Sequence, residues 1–218
     1  MSTRARRGPA GDGLLIVGLV GRAGSGKSAV ANILLAADGA TVIEADLVGH
    51  EVTDQDPEVR AALAREYGDD VYRPDGRLDR ERVAANVFRD PVARARLDRL
   101  VHPRLVARLE QRLQGLCARG TRGLVVLDAA LLLEWGLERD CDAVIAVSAP
   151  PAEQVRRLVR SRGWTEAEAR SRLLAQRTDE AFCAAADVTL DNTGSIEDLA
   201  RGARAAVAAL RASRAERG

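Results

Sequence analysis

Eight residues, Gly21-Arg-Ala-Gly-Ser-Gly-Lys-Ser28, constrain the fold of this 218-residue chain more than any other segment. They fit the pattern G-x-x-x-x-G-K-[S/T] without a mismatch, with an apolar run, Leu14–Val20, ahead and a helical pattern, Lys27–Ala37, behind. The glycines let the backbone curl so that successive N–H groups point at one anion, and the helix that follows adds its positive end. Ala23, Gly24, Ser25, Gly26, Lys27 and Ser28 are therefore the candidate phosphate binders. In such a loop the lysine reaches the β- and γ-phosphates and the hydroxyl of Ser28 is a ligand for the Mg²⁺ that accompanies ATP. Lys27 is also the single lysine among 33 basic residues. A chain otherwise committed to arginine has kept an ammonium here, where the two groups are not interchangeable.

The rest of the chain is patterned to suit. Leu14–Val20, Thr41–Ala45, Gly123–Leu127, Ala143–Ser148 and Val188–Asp191 read as strands, and the first, third and fourth are nearly all apolar, as buried parallel strands are. Helical patterns alternate with them, which predicts an α/β fold with a doubly wound parallel sheet. A charged helical stretch, about residues 57–119, is too long for a simple crossover and predicts an inserted subdomain. Pro151–Arg162 and Glu166–Ala175 form an arginine-dense pair, a lid of about residues 151–176, and Ile196–Leu210, capped by Ser195, closes the chain. One domain over residues 14–211, with tails at 1–13 and 212–218, is the expected organisation.

Charge and cysteine usage exclude several functions. Thirty-three basic against 32 acidic residues leave a net charge of +1, without the basic excess of a nucleic-acid binder. Anionic partners must be held by local sites, so small-molecule substrates are expected. The three cysteines, Cys117, Cys141 and Cys183, have neither disulfide-framework nor zinc spacing and suit a reducing cytoplasm. No apolar run approaches membrane-spanning length, and the short one at Leu14 leads into the glycine loop. The expected protein is a cytoplasmic monomer or small homo-oligomer.

Outside the loop, single residues admit two readings each. Asp46 follows the second strand, where ligands of open α/β sheets gather; it can take a proton from an incoming hydroxyl, or cap a helix. Residues 44 and 46 share a face of an extended strand, with 46 nearer the carboxyl edge. Asp128 can hold a Mg²⁺-bound water or the acceptor, or cap an element. The arginines at 156, 157, 160 and 162 are a phosphate-neutralising lid or a solvated face. His102 is a ligand-binding residue or a helix-start histidine.

Taken in order, these segments resemble the dephospho-CoA kinase family. Glu44-Ala-Asp46 is similar to the family's D-A-D, Asp128-Ala-Ala-Leu-Leu-Leu-Glu134 to D-x-P-L-L-x-E, Leu100-Val-His-Pro103 to L-x-H-P, and Ala186–Gly194 to A-D-x-V-I-x-N-x-G. Gln154, Arg157 and Leu158 resemble the family lid, and Phe88-Arg-Asp-Pro91 a family helix junction. The resemblance implies a P-loop kinase that phosphorylates the ribose 3′-hydroxyl of dephospho-CoA with ATP and Mg²⁺. It implies Asp46, Lys27 and Arg157 as catalytic, His102 and Asp128 with Asp46 at the acceptor, and Arg157 and Asn192 with the loop at the nucleotide, Asn192 near the adenine. Departures are Glu44 and Ala130 for aspartate and proline, Ala181-Phe182 where a basic residue is frequent, and an extra lid residue between Arg157 and Gly163. A related nucleoside or nucleotide kinase stays open as the alternative. A nucleotide switch is a poorer fit, since N-K-x-D cannot be formed with one lysine.

Overall fold

Seven consecutive buried residues, Leu14–Val20, form β1, the centre of the sheet. Its sequence has no alternation because both faces are covered, as in other parallel sheets. The computed structural model describes residues 13–88 and 90–216. The tail expected at the amino end thus lies, apart from Gly13, outside the described residues, as does Arg89 of the Phe88–Pro91 junction. The elements are β1, α1 (Lys27–Asp38), β2 (Thr41–Glu44), α2 (Ala45–Gln55), α3 (Pro57–Tyr67), α4 (Arg80–Phe88), α5 (Pro91–Ala118), β3 (Gly123–Asp128), β4 (Ala143–Ser148), α6 (Pro151–Arg162), α7 (Glu166–Leu174), α8 (Asp179–Ala185), β5 (Val188–Asp191) and α9 (Ile196–Ala215). The strand order is β2-β3-β1-β4-β5, and the β1–β3, β1–β4 and β4–β5 pairings are parallel. The expected P-loop α/β core is therefore present.

The chain divides into two compact units, Glu44–Gln114 and the remainder. In the sheet unit, Leu15, Val17 and Leu19 on one face of β1 pack with Val30 and Leu34 of α1 and Leu199, Ala203 and Val207 of α9. Asp142, just ahead of β4, accepts from Ile16 N–H at 2.8 Å and from Arg214 at 2.7 Å. That pairing carries α9 five residues past the Leu210 boundary expected from sequence, into what reads as a tail. The helical unit has its own small core of Val52, Val59, Leu63, Val71, Leu78 and Val83.

Three further boundaries differ from expectation. β2 ends at Glu44, and α2, unanticipated in the sequence, begins at once, so the insertion starts at residue 44 and not near 57. Its buried face, Ala45, Val48 and Val52, does carry helical spacing, but Gly49 and β-branched residues dilute it. His102 and Pro103 lie inside α5, a 28-residue helix, not at a helix start. Finally, α8 forms over Asp179–Ala185, where Thr178 caps it by accepting from Ala181 N–H.

Candidate active site

The loop between β1 and α1 is shaped by what its glycines must avoid. Gly24 has φ +76°, and a Cβ there would lie 2.6 Å from Gln154 O; Gly26, at φ +108°, would put one 2.1 Å from the Asn192 side-chain nitrogen. Only glycine meets both demands at once. Lys27 and Ser28 open α1 directly after Gly26, with Ser28 exposed. Lys27 Nζ donates to Gly21 O at 2.8 Å, so its ammonium curls back over the loop. Parallel pairing sets Asp128 beside Leu19, two residues ahead of Gly21, and so at the same sheet edge as the loop.

Two residues expected at the nucleotide prove to grip the loop by its carbonyls. Asn192 is buried, and its amide donates to Ser25 O at 2.7 Å. Arg157 donates from Nη1 to Gly24 O and Ser25 O, at 3.3 and 3.2 Å, and from Nη2 to Asn192 O at 3.0 Å. Its Nε is bonded to Glu153 at 3.0 Å. Carbonyls turned toward Arg157 leave their peptide N–H groups facing away from it, so the guanidinium holds the loop from behind. The lid reading from sequence has Arg157 meeting phosphates; the geometry instead makes it a staple, while Arg160 and Arg162 are exposed. The other limb, Arg22 and Ala23, is held by Leu173, Gln176 and Asp179, none of which the sequence singles out.

In the helical unit, Asp46 lies in the first turn of α2, exposed, where the helix end favours a carboxylate. The strand alternation invoked for residues 44 and 46 does not operate, because only Glu44 is in the strand. Helical spacing replaces it. Asp46, Gly49, His50 and Thr53 fall at i, i+3, i+4 and i+7 and share one face of α2. Gly49, His50 and Thr53 line a cavity of about 260 Å³. Its walls are Leu78, Val83, Val87, Leu97 and Val101, and Arg80, Asp98 and His102 complete its polar rim. His102 Nε2 lies 3.5 Å from Asp98 Oδ1. Arg80 is fixed by Asp54 at 2.9 Å. Burial by itself would raise the Asp54 carboxyl, but the Leu78 N–H and the Arg80 guanidinium outweigh it and hold the pKa below the ordinary 3.8. Asp46 and His102, named from sequence, thus belong to one unit; His50 and Arg80 were missed, and the signal for His50 was its i+4 spacing from Asp46.

Comparison with known proteins covers most of the chain. A family model described as dephospho-CoA kinase matches residues 15–198. The dephospho-CoA kinase of Thermobifida fusca is 43% identical over 187 residues, 85% of this chain and 91% of that protein. That of Anaeromyxobacter dehalogenans is 40% identical over 202 residues, 93% and 95% of the respective chains. Among solved structures, TT1252 from Thermus thermophilus gives a TM-score of 0.73 at 34% identity, over 91% of this chain and 99% of that one. A dephospho-CoA kinase from Campylobacter jejuni gives 0.65 at 19% identity, covering 90% and 97%, a likeness of fold.

Proposed function

This chain belongs to the dephospho-CoA kinase family, and we propose from that premise that it transfers the γ-phosphoryl of ATP to the ribose 3′-hydroxyl of dephospho-CoA, giving CoA and ADP. It is an ATP-dependent phosphotransferase with the fold of a P-loop kinase. The observation that carries the finer assignment is the face of α2, which brings a carboxylate and a half-apolar cavity onto one surface of the helical unit. At about 1.5 Å rise per residue, His50 lies about 6 Å along the helix from Asp46.

In this reading the loop N–H groups and Lys27 bind the β- and γ-phosphates and orient the γ-phosphoryl for in-line attack. Asp46 takes the proton as the 3′-oxygen bonds to phosphorus, while the bond to the ADP oxygen breaks. His50, Arg80 and His102 hold the acceptor at the cavity rim, and the apolar walls exclude the water that would compete with it. Ser28 and Asp128 offer hard oxygen donors at the edge where the phosphates are held, which suits Mg²⁺. When bound with ATP, the ion neutralises charge on the phosphates. No helix among the described residues is long and apolar enough to cross a membrane, and we place the enzyme in the cytoplasm, which its scattered cysteines suit.

ADP release measured with dephospho-CoA, adenosine, uridine or no acceptor tests this. Efficient release with dephospho-CoA alone is the expected result. Preference for a free nucleoside would assign the chain another acceptor, and release without any acceptor would make it an ATPase.

A further inference from the structure

A phosphate loop works by aiming N–H groups at an anion, and a loop of small residues holds that aim only if something else fixes it before the ligand arrives. The Gly24–Ser25 limb has Arg157 and Asn192 for this purpose. The Arg22–Ala23 limb is fixed by a different part of the chain, the passage from α7 into α8, about 150 residues away in sequence. Gln176 Oε1 accepts from Ala23 N–H at 2.9 Å. Arg22 donates to Leu173 O and lies 3.6 Å from Asp179 Oδ2, with side chains only 12% and 16% exposed. Asp179 in turn accepts from Gln154 Nε2 at 3.0 and 2.9 Å, and Gln154 is fully buried. The Ala23 methyl packs against the apolar cluster of the α6–α7 pair, which includes Leu158 and Leu173. A hydrogen bond, a charge pair and an apolar contact thus converge on two loop residues from one segment.

We infer that Gln176 and Asp179 are positioning residues of the phosphate cradle: they set the Arg22–Ala23 limb in the shape that receives ATP and couple that shape to the placement of α7. The coupling follows from chain connectivity, because Leu173 belongs to α7 and Gln176 follows its last residue by two. Displacing α7 pulls on Ala23 N–H and on Arg22 together. This inference rests on the loop binding ATP and is independent of which acceptor is used.

Gln176→Leu keeps the bulk and removes the acceptor oxygen, whereas Gln176→Glu restores one. Three readouts separate positioning from general support: ATP kinetics, hydrogen exchange at the Ala23 amide, and binding of a non-hydrolysable ATP analogue with Mg²⁺. Gln176→Leu should lower kcat/KM for ATP about five- to thirtyfold, the effect of one orphaned hydrogen bond. Exchange at Ala23 should rise and analogue binding weaken, while the acceptor KM at saturating ATP and the thermal midpoint hold. Gln176→Glu should recover Ala23 protection. Asp179→Asn, which keeps an oxygen for Gln154 but not the charge facing Arg22, should weaken analogue binding while the acceptor KM holds, and should lower the midpoint more than Gln176→Leu, because Arg22 loses a nearly buried partner. Unchanged Ala23 exchange and analogue binding in Gln176→Leu would overturn the inference. So would a lowered thermal midpoint with both substrates affected alike, since that is merely structural support.

Discussion

The sheet unit and the helical unit differ in how much of their framework is a buried sheet and how much an exposed charged surface. In the sheet unit β1 is buried throughout and β3 and β4 are buried over most of their length, and charged side chains reach inward to backbone groups: Asp142 to Ile16 N–H, Asp187 to Val144 N–H, Arg157 to the loop carbonyls. The helical unit has a small apolar cluster built on Val52, Val59, Leu63, Val71, Leu78 and Val83 and an outer layer of ion pairs, among them Arg82–Asp70, Arg96–Glu66, Arg104–Glu58 and Arg112–Glu51. Each of those pairs has both partners more than a third exposed. Exposed pairs contribute only about 0–1 kcal/mol apiece and weaken with salt. The difference suits the two jobs. In the proposed division, phosphoryl transfer needs donors fixed in advance, and holding the acceptor does not make the same demand.

The comparison breaks most visibly at Asp46. Asp46→Asn should lower kcat about 10²–10⁴-fold if the carboxylate takes the proton, with ATP binding little changed. Glu44→Gln, one residue before α2, should leave kcat close to wild type; if it proved the more damaging change, the proton acceptor would be misassigned. Next is Lys27→Ala, with kcat expected to fall about 10²–10³-fold without loss of fold. Lys27→Arg should fail substantially as well, and near-normal turnover there would refute the need for an ammonium.

Filling the cavity sharpens the division. Val101→Phe should raise the acceptor KM about five- to fiftyfold and leave the KM for ATP unchanged. An effect on ATP instead would remove the cavity from the acceptor's account. Arg157→Lys keeps the charge and loses the fork, so kcat/KM for ATP should drop about tenfold, nearly as far as in Arg157→Ala. Full activity in the lysine variant would return Arg157 to the role of a simple phosphate-neutralising charge.

The smallest effect is on pH dependence. Asp54 has a folded pKa held below its ordinary 3.8, so its contribution is complete above that value and is lost as pH falls through the folded one. Acid titration followed by hydrogen exchange should therefore loosen the α2–Leu78 connection below about pH 4, and Asp54→Asn should abolish that part of the response.

How far the sequence reached follows the range of the forces involved. The loop, β1, β4, β5 and α6 were legible to the residue because local pattern and burial agree there. Asp46 was read as the end of a strand and lies in the first turn of α2, since the period of two and the period of 3.6 cannot be told apart over so few residues. The alternative reading of His102 as a helix-start histidine does not hold, since α5 runs through His102 and accepts Pro103 within its length. Gln176 and Asp179 left no trace, because their significance comes from contacts across about 150 residues of chain. Arg157, read from sequence as a phosphate-facing lid arginine, bonds the loop's carbonyls: composition reveals its charge, but only the fold reveals that these carbonyls face it.

Hydrogen–deuterium exchange, with ATP·Mg²⁺ and dephospho-CoA added separately, tests the division of labour most directly. The nucleotide should protect Gly21–Ser28 and the segment around Gln176, and dephospho-CoA should protect Gly49–Thr53 of α2 and Leu97–His102 of α5. Protection of the glycine loop by dephospho-CoA, with exchange in α2 and α5 unchanged, would contradict it.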